Sequence, residues 1–223
     1  TGNMKFALAA SREEDPEPLR AEIGLPAEAR VLIAGSTHPG EEAEILRCYE
    51  RLRQRDKELF LLIAPRHPQR VEQVENLFRA RGLDCVRRSH MNGSGPVCVG
   101  TVILLDTIGE LSRAYALGTF IFVGGSLVKR GGHNILEPAS WGKPIFFGPH
   151  MDHYSAIADT LEREGAAIRV DSGEELARQI ERLAQQPDRL AEMGRNAALF
   201  VARNQGSLER NLDIIQRILK RRS

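Results

Sequence analysis

Short apolar runs alternate with longer segments of helical periodicity along almost the whole chain, and this alternation limits the possible folds more than any other feature. The apolar runs indicate buried strands at 31–34, 59–64, 84–88, 97–105, 119–123, 144–147 and 167–170. Helical patterns cover 41–54, 70–81, 111–116, 135–141, 153–164, 173–184, 188–203 and 207–220. Strands that alternate with helices through short connections predict one parallel sheet with helices on both faces, a Rossmann-like doubly wound α/β fold.

The helix predicted at 41–54 shows how clear the periodicity is. Its apolar residues fall on one face, and they are Ile45, Cys48, Tyr49 and Leu52. Glu41 and Glu42 lie in its first turn, where their charges complement the helix dipole. This helix start is therefore predicted to be a poor phosphate site, although the loop before it can still line a cleft.

Five loops follow predicted strands, at 35–40, 65–68, 106–109, 124–134 and 148–153. Because the carboxyl ends of parallel strands meet at one edge of the sheet, these loops should gather there and form the ligand site. The loop 124–134 contains two glycine pairs and ends at His133 and Asn134, just before a helical pattern. Free N–H groups at a helix start suit an anion, and glycine lets the backbone approach a phosphate closely.

Bulk properties exclude several classes of function. The net charge of +1 among 223 residues gives no support for nucleic acid binding, and basic pairs such as Arg87-Arg88 are expected on solvated faces. No apolar segment reaches the roughly 18 residues that a membrane span needs. The 3 cysteines lack CxxC spacing, which indicates a reduced, cytosolic setting. His150 and His153 have no evident third ligand, so no metal site is predicted.

The strand-end loops also carry motifs that occur in a fixed order. They are Ser36-Thr37-His38-Pro39-Gly40-Glu41-Glu42, Pro65-Arg66-His67-Pro68, Asp106-Thr107-Ile108-Gly109-Glu110-Leu111, Gly124-Gly125-Ser126-Leu127, Gly131-Gly132-His133-Asn134-Ile135-Leu136-Glu137-Pro138 and Gly148-Pro149-His150. A further motif, Asn204-Gln205-Gly206, precedes the last predicted helix. Together they closely resemble the C-terminal half of the 3-deoxy-D-manno-octulosonic acid (Kdo) transferases of lipopolysaccharide synthesis. The resemblance covers nearly the whole chain.

The resemblance implies one half of a two-domain GT-B glycosyltransferase that acts with inversion and needs neither metal nor cofactor. This half would bind the donor, CMP-Kdo. The other half would hold the acceptor, a lipid A precursor, and supply the carboxylate that acts as catalytic base, so no catalytic residue is expected in this chain. The whole protein would be associated with the cytoplasmic face of the bacterial inner membrane, whereas this chain alone would be soluble and inactive.

The resemblance also implies a division of the chain. Residues 1–28 would be a linker, 29–206 the nucleotide-sugar-binding domain, and 207–223 a helix that crosses to the N-terminal domain. Before that helix, Asn204 would either cap it or contact the ligand. An apolar stripe on the helix is expected to fold back on its own domain, and its members are Leu208, Leu212, Ile215 and Leu219.

Thirteen residues form the candidate donor site, and they are Ser36, Thr37, His38, Arg66, His67, Ile108, Gly109, Gly125, Ser126, Gly132, His133, Asn134 and Glu137. By the resemblance, Glu137 would accept hydrogen bonds from the ribose hydroxyls. The alternative is a capping box, with Asn134 as N-cap and Glu137 three residues later. The N–H groups of Gly132, His133 and Asn134 would bind the donor phosphate, or else form only a tight turn and a helix cap.

The first two loops offer side chains with two possible roles. Arg66 is expected to contact the phosphate or the base, the alternative being a surface salt bridge, and His67 is a weaker candidate beside it. Ser36, Thr37 and His38 would line the cleft between the two domains, or would serve only the loop and the helix cap that follows.

The remaining candidates contribute mostly backbone groups. Ile108 and Gly109 would bound the cytosine, and Ser126 with the backbone around it would add N–H donors. Lys129 and Arg130 are candidates to contact the Kdo carboxylate.

Two other functions stay open at this point. One is a GT-B enzyme that uses a UDP-sugar, either a glycosyltransferase or an epimerase, and a preference for a diphosphate would favour it. The other is a nucleotide-binding module without chemistry of its own.

Overall fold

The computed structural model describes residues 15–91 and 95–220, with side chains through residue 204. Its strands are β1 Val31–Thr37, β2 Phe60–Pro65, β3 Cys85–Arg87, β4 Val102–Leu104, β5 Phe120–Val123, β6 Ile145–Phe147 and β7 Ala167–Arg169. Its helices are α1 Glu17–Ile23, α2 Glu41–Arg53, α3 Val71–Arg79, α4 Leu111–Ala114, α5 Leu136–Ser140, α6 Ser155–Arg163, α7 Gly173–Ala184 and α8 Pro187–Lys220. The strands form one seven-stranded sheet in the order β3-β4-β2-β1-β5-β6-β7, and every neighbouring pair is parallel.

The order of the strands places a topological switch point beside β1. Leu32 of β1 lies opposite Leu61 of β2 on one side and Phe120 of β5 on the other. The chain thus adds β2, β3 and β4 on one side of β1, with β3 at the edge, and then returns to add β5, β6 and β7 on the other side. Loops that leave β1 and β5 in opposite directions open a crevice at the carboxyl edge, which is where ligands bind in such sheets.

Side chains that alternate along β1 pack on opposite faces of the sheet, so the central strand is buried on both sides. Val31 and Ile33 belong to a core with residues of α1, α5, α6 and α8, whereas Leu32 and Ala34 belong to a core with residues of α2, α3 and α7. A strand buried on both faces needs an unbroken apolar run, which is the pattern from which β1 is predicted. The doubly wound arrangement is therefore confirmed.

β4 is shorter than the apolar run around it. Only Val102–Leu104 of the predicted strand 97–105 pairs with neighbouring strands. The preceding residues form a turn, in which the Thr101 N–H donates to the Cys98 carbonyl at 3.1 Å and Gly100 has φ of 93°. Apolar character alone does not distinguish such a turn from a strand.

α1 lies within the segment predicted as a linker, and it packs on the core. Leu19 and Ile23 are buried, and Gly24 ends the helix in the left-handed conformation with φ of 74°. A Cβ on Gly24 would lie 2.3 Å from the Gly95 carbonyl oxygen, so close packing as well as the turn requires glycine here. The linker boundary itself stays a prediction, and residues 1–14 lie outside the described part of the chain.

The C-terminal part of the chain is one helix where the sequence predicts two. α8 runs without a break from Pro187 to Lys220, through the predicted boundary at Gly206. Asn204 therefore lies inside the helix, and its side-chain amide donates to the Phe200 carbonyl at 2.8 Å. The predicted stripe lies outside the residues whose side chains are described, and the crossing of 207–223 to another domain stays a prediction. Neither α8 nor any other described helix is apolar enough over a sufficient length to cross a bilayer.

Candidate functional site

The loop after β1 begins with a backbone conformation that is rare for a residue with a side chain. Ser36 has φ of 55°, and the register between β1 and β2 shifts at the same point. Thr37 follows with its side chain buried, and its hydroxyl donates to Glu42 Oε1 at 3.1 Å. Arg70 pairs with the same carboxylate oxygen at 2.8 Å. Thr37 thus supports the loop from inside, while Ser36 reaches the cleft described below.

Glu41 has a role that the sequence pattern does not reveal. Its carboxylate is fully buried and accepts four backbone N–H groups: from Ser126 and Leu127 on Oε1, at 3.0 and 2.9 Å, and from Gly125 and His38 on Oε2, at 2.7 and 2.9 Å. Burial raises the pKa of this carboxyl group, and the four hydrogen bonds oppose that rise. Glu41 therefore joins the loop after β1 to the loop after β5.

Because of Glu41, the N–H groups of Gly125 and Ser126 are already paired within the protein. The Ser126 side chain is buried, where its hydroxyl donates to the Val123 carbonyl and accepts the Gly148 N–H at 2.8 Å. The Gly132 N–H donates to the Gly125 carbonyl at 2.9 Å. In this conformation these three predicted phosphate donors hold the loops in place and do not face a ligand.

The glycines of these loops allow protein segments to approach one another. A Cβ on Gly124 would lie 2.5 Å from the Ser36 carbonyl oxygen, and one on Gly132 would lie 2.3 Å from Met151 Sδ. Gly125 has φ of 69°, and a Cβ there would lie 2.8 Å from His133 Cδ2. Close packing of protein segments therefore explains these glycines, without the close approach to a phosphate that the sequence suggests.

Three consecutive N–H groups remain available next to this packed loop. Those of His133, Asn134 and Ile135 have no hydrogen-bond acceptor among the described residues. The next N–H, of Leu136, donates to Asn134 Oδ1 at 3.1 Å. Free N–H groups therefore lie at 133–135 and not at 132–134, and anion binding by this segment stays a prediction.

Two histidines meet beside these N–H groups. His38 Nε2 and His133 Nε2 lie 2.8 Å apart, the two rings are parallel, and the His67 ring stands edge-on to His38 with centroids 5.8 Å apart. In such a pair one nitrogen must donate and the other accept, so both rings cannot be protonated together. Burial lowers the pKa of both, and His133, which also lies near the charges of His38 and Arg66, has a pKa of about 4.

The open side of the pair is basic. Arg66 and Arg130 are exposed and have no salt bridge within the described part of the chain, and each lies close enough to depress the pKa of a histidine, Arg66 that of His133 and Arg130 that of His38. The alternative role of Arg66 in a surface salt bridge is therefore not observed. Unpaired cations beside free N–H groups favour an anionic ligand.

Glu137 occupies the first turn of α5 and is partly buried. Its Oε1 accepts a hydrogen bond from the Asn134 side-chain amide at 2.9 Å, and no described residue donates to its Oε2. The reciprocal capping box is not formed, since the carboxylate bonds the Asn134 side chain and not its backbone N–H. Burial raises the pKa of Glu137. One carboxylate oxygen thus remains available to a ligand.

A separate cleft of about 210 Å³ lies between the loops after β2 and β4. It is lined on one side by Ser36 and Arg66 and on the other by Ile108 and Gly109. Ile108 is 89% exposed, which is unusual for an isoleucine and leaves its side chain free to cover a planar ligand group. The structure thus brings these four predicted residues to one place.

Arg88 holds the Ile108 loop and is not on a solvated face as predicted. It is 8% exposed, forms ion pairs with Glu22 and with Glu110 (3.0 Å), and donates to the Met91 carbonyl. Glu110 also accepts the Thr107 hydroxyl. A sequence pattern of two adjacent arginines carries no signal for this burial, because the partner carboxylates are distant in the chain.

No group of three possible metal ligands is assembled by the residues that the structure describes. His153 packs against Gly131, where a Cβ would lie 2.6 Å from its ring. A cavity of about 460 Å³ lies between α2 and α7, and it is lined mostly by arginines and glutamates, several of which pair with one another. The strand-end edge, in contrast, offers free N–H donors and cations that have no carboxylate partner among the described residues.

A doubly wound parallel sheet with a basic crevice at its switch point defines a Rossmann-like domain, of the type that forms the C-terminal half of GT-B glycosyltransferases. Comparison with known proteins narrows this class. The solved C-terminal CMP-Kdo binding domain of WaaA from Acinetobacter baumannii matches with a TM-score of 0.73 and 30% sequence identity, over 87% of this chain and 97% of that domain. The chain belongs to the Kdo transferase family.

Curated relatives agree with this assignment. The 3-deoxy-D-manno-octulosonic acid transferases of Haemophilus influenzae and Rickettsia typhi are 33% and 32% identical to it, over 99% and 98% of this chain. The matches cover 52% and 47% of those proteins, so the chain spans about half the length of the curated relatives it matches. No protein-family model matches the chain. The predicted family and fold are confirmed, whereas the roles of the individual site residues stay predictions.

Proposed function

We propose that this chain is the donor-binding half of a Kdo transferase and that it binds CMP-Kdo in the crevice at the carboxyl edge of the sheet. The observation that carries the proposal is the match over 97% of a domain described as binding CMP-Kdo. The geometry supports it, because the crevice combines free N–H donors, unpaired cations and a carboxylate with a free oxygen.

The phosphate of CMP lies against the N–H groups of His133, Asn134 and Ile135. CMP has a single phosphate, so one such group of donors suffices. Arg66 and Arg130, which have no carboxylate partner among the described residues, supply the charge that balances the phosphate and the Kdo carboxylate. Lys129 is exposed beside Arg130 and is a further candidate for the Kdo carboxylate.

The nucleoside lies on the other side of the same edge. The ribose hydroxyls donate to the free oxygen of Glu137, and the cytosine occupies the cleft between Arg66 and Ile108. Gly109, with φ of 89°, turns the loop so that backbone groups can face the base.

In this proposal the whole protein transfers Kdo with inversion to a lipid A precursor, at the cytoplasmic face of the bacterial inner membrane. The acceptor and the catalytic base belong to the other half of the enzyme, and the reaction needs no metal. The chain by itself binds the donor without turning it over.

Calorimetric titration with CMP, UDP and GDP tests the proposal. CMP should bind more tightly than UDP or GDP, since the free N–H groups match one phosphate. Arg30 lies at the opposite end of β1 and pairs with Asp56, so Arg30→Ala provides a variant that should bind CMP normally. A clear preference for UDP would instead favour an enzyme of the same fold that uses a UDP-sugar.

A further inference from the structure

Glu41 does not face the proposed ligand. Its carboxylate nevertheless contacts two loops that do, the loop after β1 through His38 and the loop after β5 through Gly125. We infer that Glu41 is a positioning residue, whose carboxylate holds the loop after β5 against the loop after β1 so that His133 meets His38. This inference deepens the proposed function, since the same contacts set the position of the N–H groups offered to the donor phosphate.

The contacts of Glu41 and of the two histidines join the loop after β1 to the loop after β5 at two points. Glu41 accepts the N–H groups of His38 and Gly125 on one oxygen, at 2.9 and 2.7 Å. The His38 ring meets the His133 ring at 2.8 Å, and the Gly125 carbonyl accepts the Gly132 N–H at 2.9 Å. Because Gly132 directly precedes His133, movement of the loop after β5 would displace the histidine and the N–H groups that follow it.

A carboxylate is required at this position by the chemistry of its partners. All four groups that point at Glu41 are N–H donors, two to each carboxylate oxygen. An ionised carboxylate suits them because it accepts hydrogen bonds and donates none. A glutamine would turn its own NH₂ group toward two of these donors. An apolar residue would leave all four buried N–H groups without an acceptor, which is strongly unfavourable.

Glu41→Gln tests the inference, with Glu44→Gln as its matched control. Glu44 lies on the same helix and also accepts a backbone N–H, that of Gly173 at 2.8 Å, but its carboxylate contacts α7 and Arg47 and not the loops that carry the histidines. We expect Glu41→Gln to speed amide exchange at Gly125, Ser126 and Leu127 and to shift the ring signals of His38 and His133 in NMR spectra. The control should leave both unchanged, although it can lower the melting temperature.

The affinity for CMP separates this inference from the proposed function. Glu41→Gln should weaken CMP binding by about tenfold, the effect of losing one hydrogen bond to a charged group, under conditions where the variant is folded. If the histidine and amide signals of the variant match those of the native protein, the inference is wrong, whatever the affinity. If those signals change but the native protein does not bind CMP, the positioning role stands and the proposed function fails.

Two further measurements keep the inference testable if Glu41→Gln does not fold. In the native protein, the amides of His38, Gly125, Ser126 and Leu127 should exchange slowly, and fast exchange would contradict a buried carboxylate contact. Glu41→Ala should regain native ring signals of the histidines when formate is added, because formate can occupy the space between the N–H groups. Recovery with chloride and formate alike would indicate a general salt effect and would count against the inference.

Discussion

At the scale of single residues, Glu137 is the position where a structural and a ligand-binding role can be separated. Its Oε1 is held by Asn134, and its Oε2 has no donor among the described residues. We expect Glu137→Ala to weaken CMP binding by roughly 1.5–3 kcal/mol, the scale of hydrogen bonds to a charged group, as measured by calorimetry.

Glu175→Ala is the matched control for that prediction. Glu175 stabilises the start of α7, where its N–H donates to Oγ of the N-cap residue Ser172 and its carboxylate accepts the Asp171 N–H. Its loss should lower the melting temperature and leave CMP binding intact. If Glu137→Ala behaves in the same way, Glu137 is a structural residue only.

His133 should make the stability of the protein depend on pH in a definite direction. Its pKa falls from 6.5 to about 4 because burial disfavours the charged ring, so the unfolded chain binds the proton that the folded chain rejects. Stability is therefore lost as pH falls from about 6.5 toward 4. Glu41 and Glu137, whose pKa values are raised by burial, act in the opposite direction.

The comparison of variants isolates this effect. Between pH 7 and 5, the free energy of unfolding of His133→Asn, measured with urea, should fall less steeply than that of the native protein. His90→Asn, which changes an exposed histidine, should retain the native slope. Equal slopes for all three proteins would show that His133 does not titrate as the geometry predicts.

The sequence predicts where the site lies better than it predicts what each residue does. Glycine pairs, strand ends and the start of α5 locate the crevice, because these are local patterns. The acceptor for the Gly125 N–H is Glu41, 84 residues earlier in the chain, and no local pattern contains that partner. For this reason the sequence assigns the N–H groups of Gly125 and Ser126 to a ligand, whereas the structure pairs them with a side chain.

At the scale of elements, the contact between α8 and the end of α5 depends on a glycine. A Cβ on Gly194 would lie 2.2 Å from the Gly142 carbonyl oxygen. Gly194→Ala would ordinarily stabilise a helix by about 1 kcal/mol, but here it should destabilise the protein, because the clash costs about 1–3 kcal/mol or more. Urea unfolding of the variant measures the net effect.

Arg195→Ala controls for the helical preference of alanine in the same turn. Arg195 is exposed, so this change should alter the free energy of unfolding by no more than about 0.5 kcal/mol. A stabilised Gly194→Ala protein would mean that α8 can move away from α5 without loss.

Elements buried on both faces are those that the sequence predicts best. β1 and β2 belong to this group and follow from unbroken apolar runs, and α2, which is buried on one face only, follows equally well from its single apolar stripe. The break predicted between helices 188–203 and 207–220 is wrong because a glycine weakens a helix by only about 1 kcal/mol, which neighbouring helical residues can offset. The order of the strands requires contacts between distant segments and therefore comes from the structure alone.

At the scale of the whole molecule, the match to about half of each curated relative leads to a prediction about activity. Since the catalytic base is expected in the other half, this chain should transfer no Kdo from CMP-Kdo to a lipid A precursor, even at high protein concentration. Mass spectrometry of the lipid product, with a full-length relative as positive control, measures this. Transfer by the chain alone at the rate of the full-length enzyme would contradict the division of roles.

The position of β1 between two halves of the sheet also affects how the polypeptide is made. The Val31 N–H donates to the Thr119 hydroxyl, which lies 88 residues later in the chain. During synthesis, the edge of β1 that pairs with β5 therefore stays unpaired until β5 has been made. A chain truncated after residue 118 should therefore aggregate, as light scattering would detect, whereas the complete chain should not. Binding of CMP in the proposed crevice, which the loops after β1 and β5 form together, should then report in a synthesis experiment that β5 has paired with β1.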